Sequence, residues 1–275
     1  KGGGNCPNAS TFDRGAEASC EALWPACPKA CTLHPPHAYQ RRTFPWLEPL
    51  HPLAQRHPPS LEGSVVFQSP VAGALHSIVA NHVVNSRVVF PGAGYLEMAR
   101  AAAEAALHGV FFLQPLAVEA TGLLVECAVS NGRFEVRSGE ADAIEGGVVH
   151  CSGGATTSVN LWQRVDHAVP SVAYRAADVG ALYDAFDAVG LQYGPGYRTL
   201  VKAWGGARSG FARLRARSTQ EGTQVHPADL DDALCTSGVM ASIGGGQLPF
   251  AVDDVLLQGA ASELWAVRSS CHTHD

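Results

Sequence analysis

A histidine placed shortly before a proline-initiated helix is the first candidate for chemistry. His82 precedes Pro91 and Gly92 in the segment His-Val-Val-Asn-Ser-Arg-Val-Val-Phe-Pro-Gly. Proline suits the first turn of a helix, so we expect a helix start with unpaired N–H groups at Gly92, Ala93 and Gly94. A base beside such an oxygen-polarising site suits removal of a proton α to a carbonyl. The structural alternative is a core histidine capped by a backbone carbonyl.

A second candidate is an acid on another proline-initiated helix, in the segment His226-Pro-Ala-Asp-Leu-Asp-Asp-Ala-Leu-Cys235. Asp231 and Cys235 are four residues apart and share a helix face, which leucines flank. Burial there would raise the pKa of Asp231 and keep it protonated as a proton donor. The alternative is that the acids of this first turn only complement the helix dipole: Asp229, Asp231 and Asp232.

A third segment, Tyr193-Gly194-Pro195, is by itself a Gly/Pro turn with a tyrosine able to hydrogen-bond a neighbour.

Two halves of similar pattern would position these residues. Runs rich in Val and Phe predict strands at 64–68, 87–90, 112–120, 123–129, 133–137 and 148–152, then at 200–204, 210–217, 250–257 and 264–268. Helices are predicted at 91–107, 179–189 and 227–243. One proline-initiated helix among strands in each half indicates an internal duplication and an α+β fold.

Composition excludes several classes of function. Hydrophobic residues make up 46% of the 275 residues and the net charge is −6, so a packed core is expected and nucleic acid is not an expected partner. No apolar run is long enough for a membrane span, and no signal peptide is present, so we expect a cytoplasmic protein. The start at Lys1 suggests a piece of a longer chain. The early cysteines, Cys6, Cys20, Cys27 and Cys31, do not form two compact pairs, which weighs against a zinc site and favours no metal.

Taken together and in order, these segments resemble the dehydratase domain of polyketide synthases, which is akin to the animal fatty acid synthase dehydratase. The resemblance rests on a His-x3-Gly-x4-Pro motif, the helix start after it, a Tyr-Gly-Pro motif and a His-Pro-Ala-x-Leu-Asp motif: His82…Ser86…Pro91, Gly92-Ala-Gly-Tyr95-Leu-Glu97-Met-Ala99, Tyr193-Gly194-Pro195, and His226-Pro227-Ala-Asp-Leu-Asp231…Cys235.

The resemblance implies a double hotdog, two tandem curved antiparallel sheets that each wrap a central helix. It implies a linker after an upstream acyltransferase at 1–46, a first hotdog at 47–160, a linker at 161–175 and a second hotdog at 176–275. The chain stops soon after Trp265, where the family usually continues, so we expect a truncated second hotdog.

The resemblance also implies the reaction, which is elimination of water from a β-hydroxyacyl thioester to give an α,β-unsaturated chain. His82 would be the base and Asp231 the acid. Substrate positioning would fall to Gly92, Tyr193, Gly194, Pro195 and Cys235, and a structural role to Pro91, His226 and Pro227. The substrate would sit on the phosphopantetheine of an acyl carrier protein, without a cofactor. Neighbouring synthase domains and a second copy in a homodimer would be the other partners.

Three departures from the family pattern keep other functions open. Ser86 replaces a glycine, Cys235 replaces the Gln or His that orients the acid, and Asp229 adds an acid that would couple to Asp231 if buried near it. The alternatives are isomerase, cyclase or product-template chemistry on the same fold, and a non-catalytic scaffold domain.

Overall fold

The structure is a computed structural model that describes residues 51–60, 62–119, 122–157, 174–206, 209–236, 250–257 and 264–269. Its strands are β1 (Ser64–Pro70), β2 (Val83–Val84), β3 (Arg87–Val88), β4 (Ala106–Phe112), β5 (Leu123–Ser130), β6 (Arg133–Glu140), β7 (Val148–Thr156), β8 (Arg175–Ala177), β9 (Leu200–Gly205), β10 (Ser209–Leu214), β11 (Ala251–Val255) and β12 (Trp265–Ser269). Its α-helices are α1 (Ala74–Val79), α2 (Gly92–Ala103), α3 (Val179–Ala188) and α4 (Pro227–Cys235).

The first sheet has six strands in the order β1-β5-β6-β7-β4-β11, and its pairings are antiparallel. It wraps α2, which packs against β4, β5 and β6. The alanines of α2 allow this close approach because their side chains are small. Leu96 and Met98 of the helix are buried in the same core as Val125 and Val136 of the sheet.

The second sheet has four strands in the order β12-β10-β9-β8. Helix α4 packs against β10 and β12 and also against α2, so the two central helices are in contact. Strand β11 comes late in the chain but pairs with β4, with Ala251 opposite Phe111. The first sheet is therefore completed by a strand from the half that carries α4.

This arrangement confirms the α+β prediction of two antiparallel sheets, each packed on one proline-initiated helix. The two prolines occupy different positions at the starts of their helices. Pro91 is the N-cap of α2 with extended φ and ψ, whereas Pro227 occupies the first turn of α4 after an N-cap at His226.

Two predicted boundaries were wrong. The alanine-rich run after Pro91 was expected to stay helical to Leu107, but α2 ends at Ala103 because Glu104 adopts a left-handed conformation with φ 50°. The next residues form β4, which buries Leu107 and Val110, and the strand expected at 112–120 is instead mostly the connection after β4. Local helix propensity was overridden by burial in the sheet.

Some predictions fall outside the described residues: the linker at 1–46, most of the linker at 161–175, the early cysteines, and the second half of the helix expected at 227–243. Helix α4 is described up to Cys235, with the C-cap at Thr236. Helix α1 was not predicted; it buries Leu75, Ile78 and Val79. No helix in the described part of the chain is both long and apolar enough to cross a bilayer.

Candidate active site

His82 is held in one tautomer by the hairpin that follows it. Its Nδ1 lies 2.6 Å from the carbonyl oxygen of Val89. A carbonyl can only accept, so Nδ1 carries the proton and donates it to this bond. In the neutral ring Nε2 is therefore the basic nitrogen with a free electron pair. The imidazole is buried and its Nδ1 is capped by a carbonyl, as the structural alternative predicts, whereas the role of Nε2 as a base stays a prediction.

Asp231 lies opposite that basic nitrogen. The distance between His82 Nε2 and Asp231 Oδ1 is 3.8 Å, although the two residues belong to different halves of the chain. Burial is the largest influence on Asp231 and raises its pKa, while His82 and a hydrogen bond with Tyr193 act in the opposite direction. The other carboxyl oxygen, Oδ2, is buried and has no hydrogen-bond partner among the described residues. A carboxyl group held in this way favours its protonated form.

Two tyrosines line the histidine. The ring centroids of Tyr193 and Tyr197 lie 5.2 Å and 5.3 Å from that of His82. The Tyr193 hydroxyl is 3.7 Å from Cys235 Sγ, and burial followed by the charge of Asp231 raises the pKa of Tyr193. Tyr193 is therefore a neutral hydroxyl that reaches both the acid and the thiol one turn further along α4.

The start of α2 offers fewer unpaired N–H groups than expected. Gly94 N–H donates to the carbonyl of Pro91 at 2.9 Å, so of the predicted three only Gly92 and Ala93 remain. Gly94 serves packing instead, because a Cβ there would meet the ring of Phe90 at 2.8 Å. At Gly92 a Cβ would make only an ordinary contact, at 3.5 Å from Phe112. The prediction of an N–H group that polarises an oxygen therefore concerns Gly92 and Ala93, the first two residues of α2.

The other motif residues have supporting positions. The His226 imidazole caps α4, because its Nδ1 accepts from the N–H of Ala228 at 3.1 Å, and burial lowers its pKa to about 3. Gly194 packs against Asn81, whose Oδ1 would be 2.2 Å from a Cβ there. Pro195 is exposed and begins a short 3-10 helix, Pro195–Tyr197, so it lies at the border of the cluster.

The buried acid that couples to Asp231 is Asp232, not Asp229. Asp229 forms an ion pair with Arg217, with Nε and Oδ2 2.7 Å apart. The charge of Asp231 helps to raise the pKa of Asp232 to about 6, after the larger effect of burial. Asp232 Oδ2 accepts from the Tyr183 hydroxyl at 2.9 Å and from the N–H and hydroxyl of Thr199 at 2.5 and 2.7 Å. It anchors α4 to α3 and to the start of β9.

We expect Asp232→Ala to lower the free energy of unfolding by about 3–5 kcal/mol, because it leaves buried donors of Tyr183 and Thr199 unpaired at about 1–3 kcal/mol each. Urea denaturation measures this, with Asp232→Asn as the milder control because its amide oxygen still accepts. Because the pKa of Asp232 is raised in the folded protein, protonation of this residue stabilises the fold. This contribution to stability is present at low pH and is lost as the pH rises from 3.8 to about 6. A loss below about 0.5 kcal/mol in the alanine variant would contradict the anchoring role.

Glu97 connects the two halves of the chain through a hydrogen bond with Gln224. This fully buried carboxylate on α2 accepts from His51 Nε2 at 2.8 Å, from Arg100 at 3.0 Å and from the N–H of Gln224 at 2.6 Å. Burial would raise its pKa, but these bonds outweigh burial and lower it. Because Gln224 lies just before α4, the contact connects the middle of α2 with the segment that leads into α4.

The sequence did not single out Tyr197, Asp232 or the bridging role of Glu97. Each lies in or beside a segment that the sequence analysis quoted: Tyr197 two residues after the Tyr-Gly-Pro motif, Asp232 among the first-turn acids and Glu97 in the helix-start motif. Among the described residues, no group of three or more His, Cys, Asp or Glu side chains is arranged to hold a metal ion.

Two family models match the chain. Residues 51–140 match the model described as the polyketide synthase dehydratase domain. Residues 165–274 match the model described as the polyketide synthase dehydratase N-terminal domain. Together they cover both halves that contribute to the site.

The curated relatives are large synthases. Polyketide synthase PksN of Bacillus subtilis is 29% identical over 245 residues, which is 78% of this chain and 4% of the relative. Polyketide synthase ThaG of Burkholderia thailandensis is 31% identical over 213 residues, 69% of this chain and again 4% of the relative. The chain thus spans about one twenty-fifth of the length of these relatives.

Solved structures share the fold. The dehydratase domain of the CurF module of curacin polyketide synthase has a TM-score of 0.71 and 23% identity, over 81% of this chain and 90% of that one. Two inactive mutants of the CurK dehydratase, one Asp to Asn and one His to Phe, each have a TM-score of 0.65 and 21% identity, over 82% and 88% of the two chains. These likenesses confirm the predicted double hotdog. The chain belongs to the dehydratase domain family of polyketide synthases, and its enzyme class is that of a hydro-lyase.

Proposed function

We propose that His82 and Asp231 are the base and the acid of this dehydratase, acting on a β-hydroxyacyl thioester. The observation that carries the proposal is the 3.8 Å distance between His82 Nε2 and Asp231 Oδ1, across two halves of the chain. One nitrogen with a free electron pair and one carboxyl group whose raised pKa favours the proton face each other in a buried site. This is the pairing that elimination of water needs.

The step balances with these groups alone. His82 Nε2 takes the α-proton, and the electron pair left on the α-carbon forms the double bond as the β-carbon–oxygen bond breaks. Asp231 gives its proton to the departing hydroxyl, which leaves as water. The N–H of Gly92 polarises the thioester carbonyl, and Tyr193 supports the β-hydroxyl. A proton then returns from the imidazolium to the carboxylate, which restores the resting state.

The proposed substrate is an acyl chain on the phosphopantetheine arm of an acyl carrier protein, and no soluble cofactor takes part in this scheme. The multidomain character of PksN and ThaG supports neighbouring synthase domains as partners. A homodimer remains part of the proposal on the family resemblance. The inactive CurK mutants carry changes at an aspartate and at a histidine, the residue types that we assign to these roles.

A turnover assay with a β-hydroxyacyl N-acetylcysteamine thioester tests the proposal. We expect mass spectrometry to show loss of one water and a conjugated product. An isomerase, a cyclase or a product-template domain on the same fold need not remove water, and a product of unchanged mass would indicate that chemistry. A scaffold domain would leave the substrate untouched, and either result would contradict dehydration.

Cys235→Gln is expected to raise turnover up to about tenfold, because an amide N–H orients the acid and the β-hydroxyl better than a thiol does, and one such hydrogen bond corresponds to about 1.4 kcal/mol. The measurement is kcat of the variant beside that of the natural sequence. Cys151→Ser is a control, since that thiol is buried in the first core. A fall in kcat on introducing glutamine would show that the thiol itself is needed.

A further inference from the structure

The turn of the hairpin that follows His82 has a backbone conformation that residues other than glycine adopt at a cost in free energy. Between β2 and β3, Asn85 and Ser86 have φ values of 48° and 63°. Two consecutive positive φ values are typical of the type I′ hairpin turn, whose second position favours glycine. Asparagine tolerates the left-handed region better than serine does, so a single left-handed residue at Asn85 would spare Ser86. The structure shows both residues in the left-handed region, so Ser86 carries part of the strain.

This hairpin is paired with the segment that carries the Tyr-Gly-Pro motif. Three main-chain hydrogen bonds of 2.8 Å connect the segments: Asn85 N–H to Gly190 O, Gln192 N–H to Val83 O, and Gly194 N–H to Asn81 O. The fit is close on both sides of Gln192. A Cβ at Gly190 would lie 2.2 Å from Asn85 Oδ1, as one at Gly194 would from Asn81 Oδ1. The register between the two segments is therefore fixed.

The side chain of Gln192 satisfies the strained turn directly. Its Oε1 accepts from the backbone N–H of Ser86 at 2.6 Å and lies 3.2 Å from the Ser86 hydroxyl. This is a contact between residues 106 positions apart in the chain. Gln192, from the second half of the chain, thus stabilises the turn at Ser86. A glycine at position 86 would adopt this turn without such support.

The same hairpin sets the tautomer of His82. Its returning strand brings Val89 back, so that the carbonyl of Val89 accepts from Nδ1 at 2.6 Å and its N–H donates to the carbonyl of His82 at 3.1 Å. A hairpin that loosens at its tip shifts this carbonyl. The proton on Nδ1 then loses its partner, and Nε2 is no longer held as the basic nitrogen.

We propose that Gln192 is a positioning residue for His82: by bonding the turn at Ser86 it holds the hairpin that keeps the Nδ1 proton on Val89 and the Nε2 electron pair toward Asp231. The proposal rests on the proposed role of His82 as the base. Gln192 does not touch the reacting atoms. It compensates for a serine at the position where the resemblance places a glycine.

The experiment compares Gln192→Leu with Gln192→Glu, whose carboxylate oxygen accepts the same bond. We expect the leucine variant to lose about tenfold in kcat with KM little changed, and the glutamate variant to stay within about twofold. Adding Ser86→Gly to Gln192→Leu should restore most of kcat, because glycine adopts a positive φ unaided. Gln68→Leu is the matched control, since it removes another long-range glutamine bond, to Glu126 on the first sheet.

The ¹⁵N NMR shifts of the His82 ring give a readout that needs no turnover. We expect one tautomer, with the proton on Nδ1, in the natural sequence and a mixture in Gln192→Leu, whereas a merely structural glutamine would lower only the melting temperature. Unchanged kcat in Gln192→Leu, an unchanged tautomer, or no rescue by Ser86→Gly would overturn the proposal. Failure of the natural sequence to dehydrate any substrate would instead count against the proposed function, and the NMR comparison would still decide the role of Gln192.

Discussion

His82→Ala is expected to lower the rate of dehydration by about 10²–10⁴-fold, the usual contribution of a general base. The variant keeps Asp231 and the start of α2 but has no group that accepts the α-proton. The hairpin main chain is unchanged, so we expect the protein to fold. Loss of one water from a β-hydroxyacyl thioester, followed by mass spectrometry at saturating substrate, measures the effect on kcat.

The stability of this variant needs its own measurement. Removing the imidazole leaves the carbonyl of Val89 without its buried donor, a cost of about 1–3 kcal/mol. Urea denaturation shows whether the assay reports on folded protein. A folded alanine variant that turns over at the natural rate would remove His82 from the mechanism.

Asp231→Asn is expected to cause a loss of similar size, about 10²–10⁴-fold, because an amide of the same shape has no acidic proton for the leaving hydroxyl. The amide can still hydrogen-bond the substrate, so KM should change much less than kcat. A matched control is Asp229→Asn on the same helix. The carboxylate of Asp229 pairs with Arg217, and the proposed mechanism does not use it. We expect that control to lose stability and to keep its turnover once folded.

The direction of the pKa shift at Asp231 gives this prediction a pH signature. The proposed acid works only while protonated, and burial raises its pKa, so activity should extend to higher pH than an ordinary aspartate would allow. Turnover should then fall as the pH rises through that raised pKa. In Asp231→Asn this alkaline fall should be absent from the residual rate, and its persistence would assign the fall to another group.

The same shift affects stability in a fixed direction. A folded-state pKa above the unfolded value means that the folded protein binds the proton more tightly. The contribution of Asp231 to stability is therefore fully present at low pH and declines as the pH rises through the raised value. Asp231→Asn should reduce this part of the pH dependence of unfolding.

The sequence predicted the main features of the site because they depend on local rules. Proline and the residues after it define where α2 and α4 begin, and spacing on a helix places Asp231 and Cys235 on one face. Most of the predicted strands lie within a few residues of observed strands, but β4 at Ala106–Phe112 and β8 at Arg175–Ala177 were not predicted. The order of the motifs then indicated the fold in which the two helices meet.

The remaining features depend on contacts between distant segments, which no local pattern encodes. Whether Asp229 or Asp232 couples to Asp231 is decided by Arg217 and Thr199, which pair with one acid each. The end of α2 at Glu104 follows from burial of β4, against the helix propensity of the alanines. The support of Ser86 by Gln192 joins residues from opposite halves, so it became visible only in the folded chain.

The double variant His82→Ala, Asp231→Asn tests most directly whether the imidazole and the carboxyl group act on one substrate in one step. Residues that work as a unit have non-additive losses. We therefore expect the double variant to dehydrate the thioester about as slowly as either single variant. Losses that multiply across the two sites, or natural turnover in either single variant, would contradict the account.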